Sequence, residues 1–377
     1  MIDTQVAIIG AGLAGLNGAR LLHRAGVDFM LFEARDRPGG RILTADESGK
    51  PTQDGFDLGP SWFWPGMQPP IGNLVAELGL PAFGQHSEGD VVFERMSREA
   101  PHRFPGMRQE PQSMRLAGGM AALIRALMRD LPSDSLHFEA RVAGLQLTGD
   151  GVELSVHHTG GRREAVRAAQ IIAALPPRIL AAAVQFDPAP EPQTLQRWQD
   201  TPTWMAPHAK VFAIYDRPFW RDAGLSGTAQ SMVGPLVEIH DATTASGRAA
   251  LFGFVGIGTE QRETLGEAAL VSACIQQLTR IFGPQAAHPR ATLYKDWAAD
   301  PLTATLQDRL SADHPHGSAG GWVSGPWHDR LTLAGSETSP REAGYLAGAV
   351  EASRLAVDAV AKRLPGQSIQ PTPCHPG

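Results

Sequence analysis

The run Gly10-Ala-Gly12-Leu-Ala14-Gly15, followed farther on by Glu33, joins residue types suited to one chemistry, the binding of a dinucleotide. Gly10 permits a tight turn, Gly12 lets the backbone approach a pyrophosphate, and Gly15 lets a helix pack against a strand. The helix that follows would offer its unpaired N–H groups to the phosphates. Glu33 is placed to accept hydrogen bonds from ribose hydroxyls, and its charge would repel a 2′-phosphate, so NADP is disfavoured while NAD and FAD stay open. Other reactive constellations lack support. Neither Gly-x-Ser-x-Gly nor His-Glu-x-x-His occurs, which removes the hydrolase and zinc-peptidase readings. His314, His316 and His328 stand in Gly/Ser/Trp-rich sequence without acidic partners at ligand spacing and are read as loop histidines. Cys274 and Cys374 are too far apart in sequence to suggest a disulfide framework or a cysteine-based metal site.

The glycine turn needs a scaffold, and the neighbouring sequence supplies one. Val6 to Ile9 is a β-branched run typical of a buried parallel strand. Leu13, Leu16, Leu21 and Leu22 give the next segment a helical face ending at Gly26, and Val27 to Phe32 reads as a second strand closed by Glu33. That is one βαβ unit. The whole chain has 377 residues, 42% apolar and 19% charged, enough for a large core and for two domains. With 33 basic and 39 acidic residues, net −6, it offers no broad basic surface for nucleic acid or an anionic membrane. No export signal precedes Val6 and no apolar stretch is long enough to span a bilayer, so a soluble, cytoplasmic protein is expected.

What separates NAD from FAD is the continuation, Glu33-Ala34-Arg35-Asp-Arg-Pro-Gly-Gly40-Arg41, a basic glycine loop where an NAD domain would start another crossover helix. This stretch resembles the second fingerprint of the flavin-containing amine oxidase superfamily, which includes monoamine, polyamine and L-amino acid oxidases. Further stretches extend the resemblance over nearly the whole chain: Asp57-Leu-Gly59-Pro60-Ser61-Trp62, Arg115-Leu-Ala-Gly-Gly-Met120, Ile171 to Pro177, Leu333-Ala-Gly335-Ser-Glu337-Thr338 and Gly344-Tyr345-Leu346-Ala-Gly-Ala-Val-Glu351. The resemblance implies FAD, with Ala34, Arg35, Gly40 and Arg41 beside the nucleotide and the loop Gly59–Trp62 close to the flavin ring. It further implies that Val142 contacts adenine through its backbone and that Gly335 and Glu337 bind the ribityl chain. Gly344, Tyr345 and Leu346 would open a helix whose N-terminus faces the ring edge that gains negative charge on reduction.

The fold class expected is α/β, an FAD-binding Rossmann-like (GR2-type) domain with a discontinuous α+β substrate domain. The FAD domain would comprise residues 1–62, 114–186 and 318–366, and the substrate domain residues 63–113 and 187–317, with 367–377 a flexible tail. Alternation from Arg141 to Pro177 reads as a β-meander, and Asp187-Pro-Ala-Pro-Glu-Pro192 as an interdomain crossing. Lys210–Tyr215, Leu251–Val255 and Ala291–Tyr294 are strand-like, Glu263–Phe282 is helical in pattern, and Leu346, Val350, Val357 and Val360 mark a final helix.

By the same resemblance Lys210 holds a water near flavin N5, and Tyr345 presents an aromatic face to the substrate amine. Trp64 and Trp297 are candidates for the substrate pocket, Trp297 equally for packing. Trp62, Phe63 and Trp64 cannot all point one way along an extended chain, so at least one belongs to the core. Three departures stand out. Counting on from Trp297, the position where some monoamine oxidases carry a flavin-linking cysteine falls near Leu306, so FAD is expected without a covalent bond, and the position where a second cage aromatic is common falls near Gln307. Glu342 replaces a tryptophan and either enters the pocket, attracting a cationic substrate, or faces solvent. The reaction expected is oxidation of a primary or secondary amine to an imine, with O2 as acceptor and H2O2 as product. A desaturase-like or dehydrogenase flavoenzyme using another acceptor, and a non-redox FAD protein, are the alternatives. Partners would be a small-molecule amine and O2 or another acceptor; a homodimer is left open.

Overall fold

A computed structural model of the chain describes residues 3–106, 109–310, 313–318 and 320–364. The expected tail and Cys374 lie outside them. The chain divides into two compact units, one of residues 1–40, 124–204 and 313–377 and a second of residues 41–123 and 205–312.

The first unit is built on the βαβ turn. Strand Thr4–Ile9 pairs in parallel with Phe29–Phe32 on one side and with Arg163–Ala173 on the other, so the glycine turn leaves from the middle of a sheet. Parallel central strands are covered on both faces, which is why Val6, Ala7 and Ile8 are fully buried without alternating. The meander is present as Ala140–Leu147, Val152–His158 and Arg163–Ala173, paired antiparallel. A bulge follows Val142. Leu331–Leu333 joins Arg163–Ala173 in parallel, delivering the chain to the final helix, Leu346–Ala361.

The two units divide after residues 40, 123, 204 and 312, against expected joins after 62, 113, 186 and 317. Residues 41–62 and 114–123 group with the second unit, because Ala45, Phe56 and Leu58 share a core with Phe212, Phe252 and Leu293, and Ala82–Gly84 pairs with Met114–Leu116. Residues 187–204 group with the first, because Trp198 on the helix Pro192–Asp200 is buried in the same core as Phe186, Trp327 and Leu180.

The second unit centres on a seven-stranded sheet. Lys210–Tyr215, Leu251–Val255 and Ala291–Tyr294 are strands within Ala209–Tyr215, Ala249–Val255 and Ala291–Asp296. The helical pattern over 263–282 is interrupted. Gly266 at φ +78° ends Thr259–Leu265 and begins Glu267–Phe282, whose apolar side, Leu270, Cys274 and Leu278, covers one face of the sheet. The opposite face carries Phe212, Phe252 and, partly buried, Phe254 and Trp62.

Candidate functional site

In the first unit, the N-terminus of the helix Leu13–Arg24 is the feature suited to a phosphate. Gly12 caps it without a side-chain bond and no acid lies in the first turn, so the orphan N–H groups are left for an anion. A Cβ at Gly12 would meet nothing within 4 Å, whereas one at Gly15 would lie 1.8 Å from the Gly10 carbonyl oxygen. The two glycines therefore serve different needs: Gly15 closes helix on strand, and Gly12 leaves room in front of the turn. Gly10, at φ +101°, makes the turn itself. The basic loop folds back here, with Gly39 N donating to Ala11 O at 2.7 Å and Arg37 donating to Pro38 O and Gly40 O, so Arg37 ties its own loop.

Glu33 is buried at the end of its strand. Its Oε2 accepts Ala11 N at 2.7 Å and its Oε1 accepts Arg35 N at 2.9 Å, locking the glycine turn to the loop through Ala34 and Arg35. Each oxygen keeps a second lone pair, as ribose binding would require. Ala14 and Val142 are buried in the same unit. These residues fit a dinucleotide.

The same unit carries the second half of the expected nucleotide set. Glu337 is fully buried and its Oε2 accepts Ser336 Oγ at 3.0 Å, while a Cβ at Gly335 would lie 2.3 Å from Leu175 O. Gly344, at φ +83°, turns the chain against Trp204, and Tyr345 caps Leu346–Ala361 with no side-chain bond and no acid in the first turn. The ring of Tyr345 packs at 6.2 Å from Trp204 and 5.2 Å from His314, and Trp204 meets His314 at 4.2 Å. His314 is a loop histidine that also joins an aromatic cluster; its ring is oriented by Nδ1 donating to Pro315 O at 2.8 Å. Glu342 is half-buried and its backbone shapes the turn, accepting from Tyr345 N and donating to Ser339 Oγ.

In the second unit Lys210 is buried at 5% exposure in an all-buried strand. Its Nζ donates to Gly59 O at 2.6 Å, Ser61 Oγ at 3.0 Å and Asp57 O at 3.4 Å, and lies over the rings of Phe252 and Phe254 at 4.7 and 5.1 Å. Three acceptors and two π faces suit an ammonium group. Burial works against that charge and brings the pKa down to about 7, opposed by the Asp57 carboxylate and aided by Arg115. The amine is therefore poised between its two protonation states near neutrality.

The turn Asp57–Trp62 that receives Lys210 is itself tightly held. Asp57 accepts from Thr44 Oγ1 at 2.6 Å and Met120 N at 2.8 Å, although burial pushes its carboxyl upward from the usual range. Gly59 touches Arg41, whose carbonyl oxygen would lie 1.8 Å from a Cβ there, and Gly119, at φ +72°, leaves no space beside Thr44 and Asp57. This accounts for the Gly-Gly-Met stretch. Trp297 is buried and its indole donates to Leu58 O at 3.0 Å. It braces the turn. Phe63 is buried and bridges to Met114, whereas Trp62 and Trp64 are half-buried; Trp62 donates to Gln85 Oε1 at 2.8 Å. Pro60 is half-buried beside Ser61.

Sequence reading missed the residues that act through this turn, Thr44, Gln85, Phe252 and Phe254, and, separately in the first unit, Trp204 beside Tyr345. Phe252 and Phe254 had a signal, being two apart in a strand and thus on one face. Among the described residues no cluster of His, Cys, Asp or Glu could hold a metal ion, and no helix is long and apolar enough to cross a membrane.

The family model for flavin containing amine oxidoreductases matches residues 13–114 and 93–361. The chain belongs to this family. Its amine oxidoreductase relatives include the putrescine oxidase of Kocuria rosea, 24% identical with 94% of each chain covered. An L-amino acid dehydrogenase of Synechocystis is 29% identical over 69% of this chain and 53% of its own. The solved structure of a putrescine oxidase triple mutant has the same fold, with a TM-score of 0.77 at 22% identity and 95% and 99% of the two chains covered. The protein is accordingly an enzyme of the flavin-dependent amine oxidoreductase class, with the α/β Rossmann-like fold of that class.

Proposed function

We propose that the protein binds FAD without a covalent bond and oxidises a primary or secondary amine to an imine, with O2 as acceptor and H2O2 as product. The observation that carries this reading is the buried Lys210, held on the Asp57–Ser61 turn with its amine poised to hold or release a proton near pH 7. Bound flavin would supply the acceptance of two electrons from the substrate's α-C–H bond. The chain's own groups have the remaining tasks. Gly10, Gly12, Ala14, Gly15 and the helix they open would hold the pyrophosphate, aided by Gly40 and Arg41. Glu33, with Ala34 and Arg35 in its loop, would bind ribose, and Val142 the adenine. Gly335, Glu337 and Gly344 would hold the ribityl chain, and the N-terminus of the helix after Tyr345 and Leu346 would favour negative charge on the reduced ring.

Tyr345, joined by Trp204, would orient the amine. Lys210 would move a proton in the flavin's half-reactions, and Gly59, Pro60, Ser61 and Trp62 would shape the turn it holds. Residues 1–40, 124–204 and 313–364 would thus supply most of the nucleotide's partners as well as Tyr345 and Trp204, and residues 41–123 and 205–310 Lys210 with its turn and Arg41.

A dehydrogenase passing electrons to another acceptor is the second reading, supported by the likeness to the Synechocystis protein. An aerobic peroxide assay across amines, polyamines and amino acids decides between them. Peroxide formed in step with substrate supports the oxidase; flavin reduced by an amine under argon but no peroxide in air supports the dehydrogenase; no reduction by any of them refutes both.

A further inference from the structure

Gln85 is a buried carboxamide where three segments of the second unit meet. The strand Ala82–Gly84 pairs with Met114–Leu116, and Gln85 N prolongs that pairing by donating to Ser113 O at 2.8 Å. Its side chain serves other partners. The Nε2 donates to Asp241 O at 2.8 Å and to His86 O at 3.2 Å, while Oε1 accepts the indole N–H of Trp62 at 2.8 Å. Two carbonyl oxygens can be met only by the NH2 end of the amide, so the oxygen has to face Trp62. Asp241 is a firm anchor, because its fully buried carboxylate takes Trp220 Nε1, Arg221 Nε and Thr243 N. Glutamate at 85 would turn an acceptor toward two carbonyls, and methionine would give the indole no acceptor; glutamine meets both demands.

What Gln85 holds is a half-buried ring beside Lys210. Trp62 directly follows Ser61, whose hydroxyl accepts from Lys210. The Trp62 ring packs on Phe252 and Phe254 at 5.5 and 6.3 Å, the two rings over which Lys210 Nζ lies, and meets His240 edge-on at 4.7 Å. Phe252 is fixed by burial in the core of the sheet, whereas packing covers only part of Trp62. The bond from its Nε1 to Gln85 resists any outward tipping of the indole.

We propose that Gln85 is a positioning residue that sets the width of substrate accepted: by latching the Trp62 indole, it makes the enzyme favour slender, unbranched amines over ring-bearing ones. A bulky amine has to push the indole aside and break its bond to Gln85, whereas an unbranched chain passes without doing so. The inference rests on the amine-oxidising reading above and gives Gln85 no contact with the substrate itself.

The test compares wild-type holoenzyme, Gln85→Met, Trp62→Phe and the double variant by anaerobic flavin reduction with an unbranched and a cyclic amine of equal carbon number, such as n-hexylamine and cyclohexylamine. The net worth of a neutral hydrogen bond predicts that the unbranched-to-cyclic ratio of reduction efficiency falls about fivefold in Gln85→Met. Trp62→Phe keeps an aromatic ring but loses the indole N–H, and it lowers the ratio at least as far. Because Gln85 acts through that N–H, adding Gln85→Met to Trp62→Phe leaves the ratio where Trp62→Phe put it, a coupling that general destabilisation does not produce. Flavin absorbance of each variant reports whether it has folded around its cofactor; should Gln85→Met hold no flavin, Trp62→Phe decides by itself, and an unchanged ratio there overturns the inference. If amines reduce the wild-type flavin and Gln85→Met keeps the wild-type ratio, or lowers it equally with and without the indole, Gln85 is a structural residue only and the inference is overturned alone. If no amine reduces the wild-type flavin, the amine reading fails and the inference with it.

Discussion

Lys210 pays for burial with basicity, and the sign of that trade can be measured. Its pKa is lowered from 10.5 to about 7, so between those values the unfolded chain binds a proton that the folded chain does not. Stability therefore rises with pH across this interval, and the cost is fully present below pH 7. Chemical denaturation of wild type and Lys210→Met should show the wild type gaining stability relative to the variant from pH 7 upward; parallel curves would place the lysine's pKa near its ordinary value. The same group should give the reoxidation rate of the reduced flavin an ionisation near pH 7 that Lys210→Met lacks, while FAD stays bound. Glu33→Ala has two consequences, because Ala11 N and Arg35 N lose their acceptor at a buried site. We expect a loss of about 1–3 kcal/mol in apoprotein stability, together with poorer retention of FAD on gel filtration. Retention equal to wild type would remove Glu33 from the ribose site. Lys210 and Glu33 were legible from their sequence neighbours, since both end or begin a readable strand. Gln85 was not, because its place depends on partners far apart in sequence, Trp62 and Asp241.

Among the elements, the glycine turn offers a comparison that separates folding from binding. Gly12→Ala adds a methyl group with nothing within 4 Å at an ordinary φ of −72°, whereas Gly15→Ala drives one into the Gly10 carbonyl. Gly12→Ala should leave the apoprotein's melting temperature unchanged and weaken FAD binding. Gly15→Ala should cost about 1–3 kcal/mol of stability, the usual penalty for overpacking. Calorimetry of both apoproteins checks the pair, and equal melting temperatures would contradict it.

These local elements could be read because each pattern fits inside a short window. The parallel strand Thr4–Ile9, the meander and the final helix all announce themselves by β-branched runs or helical spacing. The strands Leu225–Ser231 and Leu236–Asp241 did not. The first contains Gly227 and small polar residues, and the second is bulged, so neither alternates; tertiary pairing decides them. The helical spacing over 263–282 runs straight through Gly266, whose positive φ of +78° makes it a break.

At the scale of the whole molecule, each compact unit has its own apolar core, and the proposed cofactor is a ligand of the folded chain. Free FAD at a hundred times its Kd should therefore stabilise the protein by about 2.7 kcal/mol, read as a higher melting temperature of holoprotein over apoprotein. Leu306, lacking a nucleophilic side chain, is the basis for expecting the flavin to leave the chain on acid precipitation. Flavin colour kept in the pellet would show a covalent bond elsewhere. The unit boundaries were the least legible feature at this scale, since residues 41–62 carry cofactor motifs yet pack into the core of the second unit's sheet. The most direct test of the account is to titrate the purified yellow protein with an amine in the absence of oxygen. The account predicts stoichiometric bleaching of the flavin absorbance and recovery on admitting air; a protein that holds no flavin, or whose flavin no amine bleaches, contradicts it.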